Sequence, residues 1–184
     1  MEKEALLLGF TILMLSIFFD SEILNLVGLL RSNFLNILMM VITSVAFLIL
    51  VYILYAYLLN KPNKVLLLVL TGLVAYIIGS VLKLIVMRER PDIANFVLSD
   101  YSFPSNHAML SFSPLAMMNH EFPNMKWVFL IIALLVIFSR VYFGVHYLSD
   151  VIGGGLIGYG IGWAMFNKIR LREILGWKIS GKRN

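Results

Sequence analysis

Residues 64–91 read KVLLLVLTGLVAYIIGSVLKLIVMRERP. Between Lys64 and Lys83 no side chain carries a charge. A helix needs about 20 apolar residues to cross a bilayer, and this stretch supplies them. It then ends on Lys83, Arg88, Glu89, Arg90 and Pro91. An apolar span that delivers cations to one membrane face implies a helical membrane protein with chemistry at a helix end.

The same pattern recurs on both sides. No charge separates Arg31 from Lys61, and an apolar run from about Ala5 to Phe19 reaches toward Leu24. Further segments start near His107 and end before His120, run from after Lys126 to about Val145, and run from about Tyr147 to Asn167. A polar loop, roughly Arg88 to Phe103, precedes the fourth. The expectation is an all-α integral membrane bundle of six transmembrane helices, with a single domain over residues 1–184. The opening Met1-Glu2-Lys3-Glu4 has no excess of basic side chains over acids, and no small-residue cleavage site follows Phe19. It is read as the start of a retained first helix.

Composition agrees. The chain is 60% hydrophobic and 14% charged, against about 25% charged in a soluble domain. It has no cysteine, so disulfides and thiolate metal sites are excluded. The spacing of His107, His120 and His146 does not suggest a zinc site. The net charge of +5 reflects topology rather than a nucleic-acid partner. With a cytoplasmic N-terminus, one side collects Lys3, Lys61, Lys64, Lys126, Lys168, Arg170, Arg172, Lys178, Lys182 and Arg183. The other holds Arg31, Lys83, Arg88, Arg90 and Arg140. That bias predicts both termini inside the cell and a plasma-membrane location. His120 then falls in a cytoplasmic loop.

Tyr52, Tyr55 and Tyr57 resemble an interfacial belt, although packing explains each as well. Gly154, Gly158 and Gly162 repeat every four residues, a spacing that lets another helix approach closely. Internal packing is expected first and dimerisation second; oligomeric state stays open.

Ionisable groups cluster where four helix ends meet at the outer face. Lys83 and Arg90 are seven residues apart, about two turns or 10.5 Å along a helix, and Pro91 places Arg90 at a helix end. Alone, the pair also fits snorkelling bases. In Pro104-Ser105-Asn106-His107, Ser105 is a natural N-cap. The backbone N–H groups beyond it could hold an anion, and His107 could donate a proton to a leaving oxygen. Alone, this also fits a capped helix with an incidental histidine. His146 and Asp150 share a helix face, so Asp150 can set the imidazole tautomer. A structural pair would look the same, but Arg140 nearby makes that reading less attractive. Three cations suit a phosphoryl group, and no carboxylate cluster would hold magnesium. The expected chemistry needs no metal or cofactor and passes through a phosphohistidine.

Lys83 to Arg90-Pro91, Pro104-Ser105-Asn106-His107, and Ser139-Arg140 to His146 to Asp150 resemble the three signature motifs of the type 2 phosphatidic acid phosphatase superfamily. The pattern is K-x6-R-P, P-S-x-H, and S-R-x5-H-x3-D, and it covers residues 83–150. The resemblance implies that Lys83, Arg90 and Arg140 bind phosphate, with Ser105 and the backbone at Asn106 and His107 completing the cradle. It implies His146 as nucleophile, Asp150 as its orienting group, and His107 as the acid and then the base that activates water. Asn106 departs from the usual Gly. It tolerates left-handed backbone, and its side chain could add a substrate contact. The implied activity is lipid phosphate hydrolysis at the membrane surface. Polyprenyl diphosphates such as undecaprenyl diphosphate come first, and phosphatidylglycerophosphate or phosphatidate second. A lipid phosphotransferase and a non-enzymatic scaffold with a dead site are the other classes. The roles of Arg88 and Glu89 stay undetermined.

Overall fold

The structure is a computed structural model that describes residues 2–92 and 99–180, with side chains over 7–92 and 99–168. Among the described residues every regular element is helical. The order is α1 (Glu2–Phe18), α2 (Asp20–Gly28), α3 (Asn33–Thr43), α4 (Val45–Leu59), α5 (Pro62–Val86), α6 (Asn106–Phe112), α7 (Leu115–Glu121), a 3-10 turn (Pro123–Met125), α8 (Lys126–Tyr142) and α9 (Leu148–Ser180).

Among the described residues, two helical stretches, Pro62–Val86 and Pro123–Tyr142, are long and apolar enough to cross a membrane by themselves. Two bent pairs raise that number to four if each pair is one span. The first and second expected segments are therefore not straight. Residues Leu7–Phe18 and Asp20–Gly28 meet at 79°, and α3 meets α4 at 56°. The second break has a local cause. Ser44 leaves helical geometry with ψ 148° and caps α4 by accepting from Phe47 N at 3.1 Å.

The expected fourth segment is two seven-residue helices, α6 and α7, divided at Ser113-Pro114. Proline has no N–H to donate to Leu110 O four residues back. That freed carbonyl accepts from Tyr52 Oη at 3.0 Å. Gly72 leaves room for the phenol, because a Cβ there would sit 2.8 Å from Tyr52 Oη. Tyr55 is also inside, edge-on to Phe129 with ring centroids 5.4 Å apart. Only Tyr57 of the three faces outward, at 78% exposed. The aromatic belt thus reduces to Tyr57, and the other two pack the bundle.

α6 lies between α5, α8 and α9. The glycine repeat of α9 makes this possible. A Cβ at Gly154 would lie 2.7 Å from Ser105 O, and at Gly158 and Gly162 it would run into Met109 O and Ser113 O. The repeat is an internal packing ridge. α5 starts with Pro62 in its first turn and ends at Met87, whose φ of 51° and N–H to Lys83 O at 3.0 Å close the last turn. Its buried face includes Leu68, Gly72, Ala75 and Gly79 and ends on Lys83. At the other end of α5, Lys64 pairs with Glu121, whose neighbour His120 lies against Phe166 with ring centroids 5.0 Å apart. The side chains of Lys3, Arg170, Arg172, Lys178, Lys182 and Arg183, used to orient the chain, lie outside the described residues, as do positions 93–98 of the polar loop.

Candidate active site

His146 sits in the short connection between α8 and α9. Gly144 makes that turn possible with φ 69°, and its N–H bonds to Val141 O at 2.9 Å. The imidazole is 2% exposed. Its Nε2 lies 3.3 Å from Nη1 of Arg90. A guanidinium can only donate, so Nε2 holds the lone pair and Nδ1 the proton. Nδ1 faces Asp150 Oδ2 at 3.6 Å and Ser102 Oγ at 3.5 Å.

The carboxylate of Asp150 is fully buried and multiply held. Its Oδ2 accepts from Ser102 Oγ and from Tyr147 N at 2.8 Å. Its Oδ1 accepts from Nη1 of Arg88 at 2.7 Å. Ser105 N bonds to Asp150 O at 3.1 Å, which ties the entry of α6 to the first turn of α9.

Lys83 and Arg90 do converge, though not along one helical face. α5 ends at Val86, so Arg90 lies beyond it and reaches Val145 O and the imidazole. The two cations meet at Asp100, whose Oδ2 is 3.2 Å from Lys83 Nζ and whose Oδ1 is 2.6 Å from Arg90 Nη2. Lys83 Nζ also donates to Tyr101 O.

Arg140 donates to Thr43 Oγ1 at the end of α3, and its Nε is buried without a partner among the described residues. Ser105 Oγ and His107 Nε2 are buried and unpartnered in the same way. Ser105 stands at the N-cap position of α6, but its hydroxyl caps nothing. Asn106 turns toward α5: its Nδ2 is 3.4 Å from Ser80 Oγ, and a Cβ at Gly79 would collide with its Oδ1. Its side chain thus lies in the packing between α5 and α6, with Oδ1 buried and unpartnered among the described residues.

The electrostatics follow from burial. His146 is pushed down from 6.5 to about 4, mainly by burial, with Asp150 opposing and Arg140 and Arg90 adding to the shift. Partial burial would raise Asp100, but Arg90 and Lys83 overcome this and hold its carboxyl below the usual range.

The family model for the PAP2 superfamily matches residues 64–173, more than half of the chain and all of this geometry except Thr43. The chain belongs to the PAP2 superfamily. It is 34% identical over 116 residues to an undecaprenyl-diphosphatase of Sulfolobus acidocaldarius, covering 58% of this chain and 54% of the relative. It is 37% identical over 94 residues to phosphatidylglycerophosphatase B of Bacillus subtilis, covering 45% and 46%. The chain thus spans about half the length of these curated relatives. A crystal structure described as the first transmembrane PAP2-type phosphatidylglycerolphosphate phosphatase, from Bacillus subtilis, superimposes with a TM-score of 0.72 at 28% identity, covering 90% of this chain and 94% of that one. Aquifex aeolicus LpxE shares the fold, with a TM-score of 0.69 at 24% identity and coverage of 80% and 94%.

The PAP2 motifs do not account for everything gathered here. Ser102, Asp100 and Arg88 are not site residues on the sequence alone, and neither are Ser149 and Asp20, to which Arg88 also donates. Asp20 had a visible signal, since a carboxylate directly after a long apolar run is costly unless it is paired. Arg88 was visible only as a charge beside a motif. Ser102 and Ser149 had no sequence signal that separates them from any other serine.

Proposed function

We propose that this PAP2 chain hydrolyses a lipid phosphate in the membrane through a covalent phosphohistidine on His146, with polyprenyl diphosphates such as undecaprenyl diphosphate as first-choice substrates. The observation that carries the reading is the approach of His146 Nε2 to within 3.3 Å of Arg90. The lone pair of the imidazole, which accepts from Arg90 in the absence of substrate, faces the cation that a phosphate oxygen would engage. Nε2 attacks phosphorus, the bond to the leaving oxygen breaks, and His107 supplies the proton. His107 then takes a proton from water as the P–N bond is cleaved. Lys83, Arg90 and Arg140 balance the charge on the equatorial oxygens, and the Ser105 hydroxyl donates a hydrogen bond to them. Asp150, Ser102 and the Tyr147 backbone keep the ring oriented.

The relatives named undecaprenyl-diphosphatase and phosphatidylglycerophosphatase B support the lipid phosphate class and leave two substrate types in contention. In this reading six segments cross the membrane, both termini are cytoplasmic, and the site opens at the outer face. The bias of basic residues supports that orientation. The test is phosphate release from purified lipid mono- and diphosphates, with and without chelator, by the native protein and by His146→Ala. Diphosphate turnover that resists chelation and is abolished by His146→Ala is expected. A His146→Ala protein with native turnover overturns the mechanism. Turnover confined to monoesters moves the substrate to phosphatidylglycerophosphate or phosphatidate.

A further inference from the structure

Asp20 is the first residue of α2, at the 79° bend that follows the first apolar run. It is 4% exposed. A carboxylate at such a place is stable only with partners, and its partners are specific. Oδ1 accepts from Ser149 N at 2.9 Å. Oδ2 accepts from Ser149 Oγ and from Nη2 of Arg88 at 2.8 Å. Ser149 N belongs to the first turn of α9, whose N–H groups have no acceptor within their own helix. Asp20 therefore caps α9 from 129 positions away in the chain.

Arg88 closes the circuit. One of its terminal nitrogens holds Asp20, and the other holds Asp150 Oδ1 at 2.7 Å and Ser149 Oγ at 2.6 Å. The guanidinium lies over the Tyr147 ring, 4.4 Å from its centroid. A planar fork held at both ends has little freedom. Asp150 is thereby fixed through Arg88, while the backbone that carries it is fixed through Ser149.

We infer that Asp20 is a positioning residue for the reaction: through Arg88 and Ser149 it holds Asp150, and with it the His146 ring, in the attacking geometry. It touches neither substrate nor reacting atoms. The inference rests on the reading of His146 as nucleophile.

A bond network of this kind acts on the chemical step. Arg90 lies at Nε2 of His146, opposite the Nδ1 that faces Asp150, and Asp20 reaches the ring only through Arg88 and Ser149. Asp20→Asn keeps an acceptor for Ser149 N and removes the charge that holds Arg88. The expected result is a fall in kcat of about tenfold to a hundredfold, typical for loss of an orienting partner, with KM and inhibition by vanadate within about twofold. Arg88→Gln cuts the same circuit at its middle and should show the same split. The double variant should be no worse than the poorer single one, because both remove one connection. A residue that merely holds the α1–α2 corner would behave differently. It would lower the yield of folded protein and leave kcat per folded molecule intact. That outcome, or a parallel loss of kcat and vanadate affinity, overturns the inference. If Asp20→Asn does not fold, Arg88→Gln alone decides by the same two readouts. His146→Ala is measured alongside. An active His146→Ala variant sinks the underlying mechanism, whereas an inactive one beside unimpaired Asp20→Asn and Arg88→Gln sinks only the role of Asp20.

Discussion

The Asp100 carboxylate lies 3.2 Å from Nζ of Lys83 and also grips Arg90. The chain thus presents an anion of its own to two of the three cations expected to hold phosphate. Asp100 is 54% exposed at its side chain, whereas Lys83 and Arg90 are 6% and 11% exposed. The anion is therefore the accessible partner and the cations the embedded ones.

A substrate phosphoryl group must compete with that carboxylate. Asp100→Asn should therefore lower KM for the lipid phosphate and lower the vanadate concentration needed for inhibition. A half-exposed ion pair contributes about 0.5–1 kcal/mol, so the change should be about twofold to fivefold. Vanadate titration of the purified variant checks this. A weaker response to vanadate would mean that Asp100 supports the cations rather than competing for them.

Candidate site residues were legible where a strong physical cost marks them. Lys83, Arg90, Arg140, His146 and Asp150 stand out because charge beside apolar spans is expensive. The structure brings Lys83, Arg90, His146 and Asp150 together through direct contacts, while Arg140 acts on the ring through its charge. The bends were not legible. Phe19 ends and Ser44 interrupts a run without charged residues, and hydropathy does not register a change of direction. Pro114 could have signalled the division of α6 from α7, since it removes a ladder donor. The spacing of Lys83 and Arg90 suggested a shared helical face. The left-handed cap at Met87 ends the helix before Arg90, and their meeting point is Asp100, ten residues further on in the loop. For Asn106 the sequence suggests a tolerated backbone turn or a substrate contact; packing against α5 has no signal there, because it depends on the space that Gly79 leaves.

The glycine ridge of α9 separates close approach from mere helix composition. Gly158 and Gly162 lie against carbonyls of α6 and of the Ser113 junction, whereas nothing lies within 4 Å of a Cβ at Gly160. Backbone cannot move aside as a flexible side chain can. Gly158→Ala and Gly162→Ala should each cost about 1–3 kcal/mol from overpacking. Gly160→Ala should be neutral or gain up to about 1 kcal/mol from helix propensity. Thermal denaturation of the three variants in one detergent checks the order. Equal effects at all three positions would remove the α6–α9 contact as the reason for the repeat.

The His146 ring sets an acid response with a definite sign. Burial lowers it from 6.5 to about 4, so the folded protein binds fewer protons there than the unfolded chain between those values. Its contribution to stability is complete above 6.5 and is lost as the pH falls toward 4. The native protein should therefore lose thermal stability across that window faster than His146→Asn, which has no ring to titrate. The same shift keeps the nucleophile neutral in mildly acidic solution. The acid limb of kcat/KM, corrected for ionisation of the substrate, should thus lie well below 6.5. Melting curves from pH 7 to 4 and a rate profile over the same range check both halves. Parallel melting curves together with an acid limb at 6.5 would show an imidazole in contact with water rather than one enclosed by Val145, Ser102 and Asp150.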